Sequence, residues 1–135
     1  MTEKPVVLFA CVHNSGRSVA ARVLTEHYAG GAVEARSAGS QPKGSVNPVV
    51  AQVLAERGLS TEAEAGTRLD VDAVQGADVV ITMGCGESCP FVPGKRYEDW
   101  QIDDPAGQDV RTVRRIVADV DGRVRALLAE LGVAV

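Results

Sequence analysis

The stretch Val6-Val7-Leu8-Phe9-Ala10-Cys11-Val12-His13-Asn14-Ser15-Gly16-Arg17-Ser18 decides how this chain is read. Its first part is apolar without alternation, the pattern of a strand buried on both faces in a parallel sheet. It runs straight into Cys11, and Arg17 follows six positions later with Ser18 behind it. A loop of that length, opening onto a helix, can turn consecutive backbone N–H groups inward. Those amides and the helix N-terminus both favour an anion. The same field lowers the pKa of a cysteine thiol, and the thiolate is the reactive form. Gly16 lets the backbone curl tightly. Arg17 supplies a two-pronged fork for anion oxygens and for charge that develops in a transition state. Ser18 can donate to the thiolate or cap the helix, and Asn14 can brace the loop from behind. Val12, His13, Asn14, Ser15, Gly16, Arg17 and Ser18 are therefore the expected walls of a cup for a tetrahedral oxyanion, with Cys11 at its base. His13 reads either as a tuning group at the mouth or as an ordinary loop residue. A nucleotide-binding P-loop is excluded, because no glycine-rich run ending in Gly-Lys-Ser/Thr is present.

Outward from this stretch, strands and helices alternate. Residues 18–28 predict a helix ended by Gly30-Gly31, with Val19, Ala20, Val23, Leu24 and His27 near one face. Residues 33–36 predict a short strand, and Ser37-Ala38-Gly39-Ser40 begins a loop. Asn47-Pro48 reads as an N-cap followed by a first-turn proline, opening a helix that runs to about Arg57 and Gly58. Asp70 to Val74 starts a further short helix interrupted by Gly76. Residues 77–82 predict a second buried strand, residues 84–96 a Gly/Pro/Cys-rich loop, and residues 97–102 an edge strand. A turn over 103–107 precedes a long amphipathic helix over 108–131. The whole predicts a single α/β domain over residues 1–135, a layered sandwich around a mostly parallel sheet. In such folds the site lies at the carboxyl ends of the strands. Cys11, Cys85 and Asp103-Asp104 all follow predicted strands and can share that rim.

Composition narrows the function. The chain has 135 residues, 45% of them hydrophobic and 24% charged, with a formal charge of −4, which suits one water-soluble domain. With that acidic balance, no basic stripe exists to neutralise phosphates, so a nucleic-acid partner is not expected. No apolar run approaches the length of a membrane span, and Met1-Thr2-Glu3-Lys4 lacks the order of a secretory leader; the expected location is the cytoplasm. An odd count of three cysteines is no secreted disulfide framework and points to thiol chemistry or a metal. Zinc on Cys85 and Cys89 would need two further ligands, for which only His13, His27 and Cys11 are available, so no metal is expected. The rim turn Asp103-Asp104-Pro105 offers a carboxylic acid to protonate a leaving oxygen, and adjacent like charges would raise one of the two pKa values.

The Cys11-to-Ser18 stretch resembles the Cys-x5-Arg-Ser signature of the low-molecular-weight protein tyrosine phosphatases and of the arsenate reductases that share their fold. The resemblance covers essentially the whole chain, including Ser37-Ala38-Gly39, Asn47-Pro48, the segment from Thr82 to Pro90 and that from Trp100 to Gly107. It implies a three-layer sandwich around a four-stranded parallel sheet of order 2-1-3-4. It also implies that the acid is the residue before the proline, Asp104, with Asp103 supporting or solvated. The phosphatases usually place aromatic residues after this turn, to wall a phosphotyrosine ring. Here Ala106-Gly107 stands instead, as in the reductase branch, whose substrate is a small inorganic anion.

Within the thioredoxin-linked arsenate reductases, the resemblance implies that Cys85 resolves the Cys11–arsenic adduct and that Cys89, before Pro90, carries the disulfide to a reductant. Cys85 stands one place from the position of the first loop cysteine in that branch, and Gly16 replaces a further cysteine that many members carry. No bound cofactor is implied. The expected partners are arsenate, with phosphate and sulfate as weak competitors, and either thioredoxin or mycothiol with a mycoredoxin-like protein. In some relatives the resemblance includes a potassium ion near Ser37, held by an acid whose place here is taken by Arg22. Ser37 is expected to hydrogen-bond to the Asn14 network, Trp100 to pack, and Arg111, Arg114, Arg115, Arg123 and Arg125 to form the solvated face of the last helix.

Overall fold

The structure, a computed structural model, describes residues 4–13, 16–41, 45–61, 68–84 and 90–133. In chain order the elements are β1 (Val6–Cys11), α1 (Arg17–Ala29), β2 (Glu34–Gly39), α2 (Pro48–Glu56), α3 (Val71–Gln75), β3 (Val79–Thr82), β4 (Arg96–Asp99) and α4 (Val110–Glu130). The strands form one sheet of order β2-β1-β3-β4, with every pairing parallel.

β1 is central, and its continuous apolar run serves two cores at once. Val7, Phe9 and Cys11 face a core shared with α1, α2 and α4, while Leu8 and Ala10 face a smaller one closed by Leu69, Val74 and Ala77. This period-two split makes the three layers: α1, α2 and α4 on one side, α3 on the other. Phe9 is fully buried and packs against Trp100 with ring centroids 5.8 Å apart, so the only tryptophan is a packing residue. Full burial of each such large apolar side chain stabilises the fold by about 1.5–3 kcal/mol.

Local signals set the helix ends. Asn47 Oδ1 accepts from the N–H groups of Val49 (2.9 Å) and Val50 (3.3 Å), with Pro48 at the first helical position. Asp70 caps α3 through Ala73 N–H at 2.8 Å, and Asp109 caps α4 through Thr112 N–H at 2.8 Å. α1 ends at Gly30, in the left-handed region at φ 57°.

Three expectations are corrected. β2 extends through Ser37, Ala38 and Gly39, because these small residues pair with Phe9, Ala10 and Cys11. His27 is exposed rather than on the buried face of α1, and Ala21 and Ala29 complete that face. The edge strand spans Arg96–Asp99, earlier than residues 97–102, and Trp100 turns into the core. Register brings Cys11 level with Gly39, Ala10 with Thr82, and Thr82 with Asp99, so one rim collects the strand ends.

Candidate active site

At that rim lies a cleft of about 380 Å³. Its floor is Cys11, Gly16 and Arg17, and its walls are residues 45–49 and 104–108 with His13. Cys11 ends β1 and is 2% exposed. Its Sγ lies 2.9 Å from Ser18 Oγ, and Ser18 is fully buried in the first turn of α1. Partner of the thiol, one of the two roles open to Ser18, is thus present. α1 has no side-chain cap at Gly16, which leaves its N-terminal dipole facing the cleft. The start of the cup is tied to the sheet, since Ser40 N–H donates to Cys11 O (3.1 Å) and Gln41 N–H to Val12 O (2.7 Å).

Arg17 leaves the first position of α1 and crosses the rim. Its Nη1 donates to Ile102 O at 3.5 Å, and its Nη2 lies 3.9 Å from Asp104 Oδ2. Asp104 is half exposed, and its Oδ1 accepts from Ala106 N–H at 3.0 Å, a local turn that aims the carboxylate at the cleft. Asp103 points elsewhere, with Oδ2 3.0 Å from Arg115 Nη2 on α4. The two adjacent carboxylates are therefore separated by their partners, and Asp104 alone lines the cleft. Gly16 touches the same turn: a Cβ there would stand 2.7 Å from Pro105 Cγ, so cup and acid turn interlock where no side chain fits.

The wall formed by Ser45, Val46, Asn47, Pro48 and Val49 lies outside the residues that the sequence pattern marks as the site. Its only sequence signal is Asn47-Pro48 as a helix start. Asn14, Ser15, Cys85 and Cys89 lie outside the described residues. Ser37 is buried, and its Oγ has no partner among the described residues. Arg22, at the place of a potassium-binding acid, ion-pairs with Glu26 at 3.1 Å; a cation there does not fit these residues. On α4, Arg114 grips both oxygens of Glu56, Arg123 pairs with Asp119 and Arg125 with Asp121.

A parallel α/β domain that sets a buried cysteine, an arginine and a rim carboxylate around a helix N-terminus defines a class of proteins built to bind and attack tetrahedral oxyanions. Residues 6–134 match the low molecular weight phosphotyrosine protein phosphatase family, and the chain belongs to it. Within the family, the chain is 44% identical to the Corynebacterium glutamicum thioredoxin-dependent arsenate reductase, with a TM-score of 0.86 over 97% of this chain. It spans 63% of that protein's length. It is 35% identical to the arsenate reductase of Archaeoglobus fulgidus, at a TM-score of 0.77 over 91% of this chain and 98% of that one. The glutaredoxin arsenate reductase of Synechocystis sp. is 30% identical over 93% of this chain and 97% of its own.

Proposed function

We propose that the protein reduces arsenate to arsenite. One observation carries this reading: the cleft that holds Cys11, Arg17 and Asp104 is walled at the acid turn by Ala106, Gly107 and Gln108, and no Phe, Tyr or Trp is among the described residues that line it, where a phosphotyrosine ring would need an aromatic slot. A small inorganic anion suits that opening, and the three relatives described above carry the name arsenate reductase.

In this mechanism the inward amides, the α1 N-terminus and the Arg17 fork hold arsenate over Cys11. The Cys11 thiolate attacks arsenic, a sulfur–arsenic bond forms, and one oxygen departs as water with a proton from Asp104. Cys85 then attacks Cys11 Sγ. The sulfur–arsenic bond breaks with its electron pair passing to arsenic, which leaves as arsenite, and a Cys11–Cys85 disulfide remains. Cys89 attacks Cys85, frees Cys11 as thiolate and yields a Cys85–Cys89 disulfide. A dithiol protein of the thioredoxin type returns the two electrons. The working location is then a reducing compartment, the cytoplasm.

The test is arsenate-dependent oxidation of a thioredoxin system by the pure protein. Cys11→Ser should abolish it, with a loss on the order of 10⁴-fold or more. Cys85→Ser and Cys89→Ser should stop turnover yet still form the first adduct. Normal turnover of both loop variants with thioredoxin would sink the cascade, and turnover driven by mycothiol alone would replace it with the low-molecular-weight thiol route.

A further inference from the structure

We infer that Gly84 is a positioning residue for Arg17, the seat on which the anion-binding guanidinium rests. Gly84 follows β3, one residue after Met83, whose N–H donates to Ala10 O at 2.7 Å. Its own φ is +98°, in the left-handed region. A Cβ at this position would lie 2.6 Å from Arg17 Nη1, 3.2 Å from Cζ and 3.3 Å from Nη2. Three atoms of one planar group thus crowd the space a side chain would fill, so the guanidinium lies against the Gly84 backbone. Gly84 and Arg17 line the same depression beside Trp100 and Ile102.

Two separate facts require glycine here, and they have different consequences. Positive φ is a backbone demand that asparagine meets better than alanine. The missing Cβ is a demand made by Arg17 alone. The end of an arginine is the part most able to move, so any side chain at this position displaces the guanidinium rather than the sheet. Arg17 binds oxygens as a fork, and displacement costs it the paired geometry. Gly84 is also the residue before Cys85, so the segment assigned the resolving thiol departs from the seat of the anion-binding group. The inference rests on the cup binding an oxyanion and not on arsenate being reduced.

The experiment uses Gly84→Ala, Gly84→Asn, Arg17→Ala and the Gly84→Ala/Arg17→Ala double variant. The readout is protection of Cys11 from iodoacetamide by inorganic phosphate, with circular dichroism as the folding control. Both single Gly84 variants should need on the order of tenfold more phosphate for half protection, while alkylation without phosphate changes less than about twofold. In the Arg17→Ala background, Gly84→Ala should add nothing. The double variant also removes the clash, so it reports even where Gly84→Ala alone is poorly folded. Wild-type protection in Gly84→Asn would show that only the backbone angle matters and overturn the inference. A further loss on adding Gly84→Ala to Arg17→Ala would overturn it too. Failure of arsenate reduction with intact phosphate protection would sink the proposed function and leave this inference standing.

Discussion

Arginine meets aspartate in two very different ways in this molecule. At the rim, Arg17 is largely buried, yet among the described residues it reaches only long contacts, 3.5 Å to Ile102 O and 3.9 Å to a half-exposed Asp104. Among α1, α2 and α4, Asp121 is 7% exposed and has three partners. Tyr28 Oη donates to its Oδ1 at 2.6 Å, Arg57 lies 3.7 Å away, and Arg125 lies 3.4 Å away with its guanidinium 6.0 Å from the Tyr28 ring centre. The second cluster closes on itself and ties three helices together. The first, among the described residues, keeps a largely buried guanidinium loosely engaged, as suits a fork that an anion can complete. Burial of an incompletely paired polar group costs roughly 1–3 kcal/mol, a cost that the proposed oxyanion would offset.

The sharpest way to break this contrast is to swap like for like at both ends. Arg17→Lys keeps the charge and loses the fork, and should lower kcat/KM for arsenate by about 10²–10³-fold. Arg57→Lys should leave kcat/KM within about twofold, because it touches only the structural cluster. Equal losses in steady-state assays of the two variants would mean that the helix cluster and the rim are one coupled unit.

The acid turn comes next. Asp104→Asn should reduce turnover by about 10²-fold at neutral pH, the usual contribution of a general acid. Asp103→Asn should cost less than about threefold, because Arg115 holds that carboxylate away from the cleft. Parallel rate profiles for the two variants decide the matter, and similar losses would return both carboxylates to the role of acid.

Gly16 separates rim from cluster by size rather than charge. Pro105 sets that demand for size, since its Cγ would stand 2.7 Å from an added methyl group. Gly16→Ala should destabilise the protein by about 1–3 kcal/mol through overpacking, and should slow turnover about tenfold by pushing Asp104 outward. Thermal unfolding and turnover measured together test this; wild-type values in both would remove the interlock.

Much of this was legible because it is local. The unbroken apolar run of β1, the Cys11–Arg17 spacing and the Asn47-Pro48 cap each lie within a few residues, where spacing alone constrains geometry. Ser37-Ala38-Gly39 misled because small residues have turn character, and their strand exists only through pairing with Phe9 to Cys11, a tertiary override of propensity. The family resemblance points to Asp104 over Asp103, but the contact that turns Asp103 away comes from Arg115 on a separate helix and has no local signal. The wall at residues 45–49 carries no reactive side chain to announce it. Tyr28 and Asp121, 93 positions apart, share no pattern that a sequence displays.

That last pair supplies the smallest and most specific effect. The hydrogen bond to Asp121, reinforced by burial and by the Asp121 charge, raises the Tyr28 pKa above its ordinary value, against the weaker opposing pull of Arg125 and Arg57. The folded state thus holds the phenolic proton more tightly than the unfolded chain, whose tyrosine titrates near about 10. The resulting stability is complete below that pH and is lost as pH rises through the folded value. Tyr28→Phe removes the proton and the bond together, and should cost about 1 kcal/mol at neutral pH. It should also shrink the difference from wild type as pH climbs above the tyrosine range, with turnover unchanged. Denaturant titrations from pH 7 upward measure both. A cost that stays constant with pH would mean that the phenolic proton shared with Asp121 is not its source, and would leave Asp121 held by its two arginines alone.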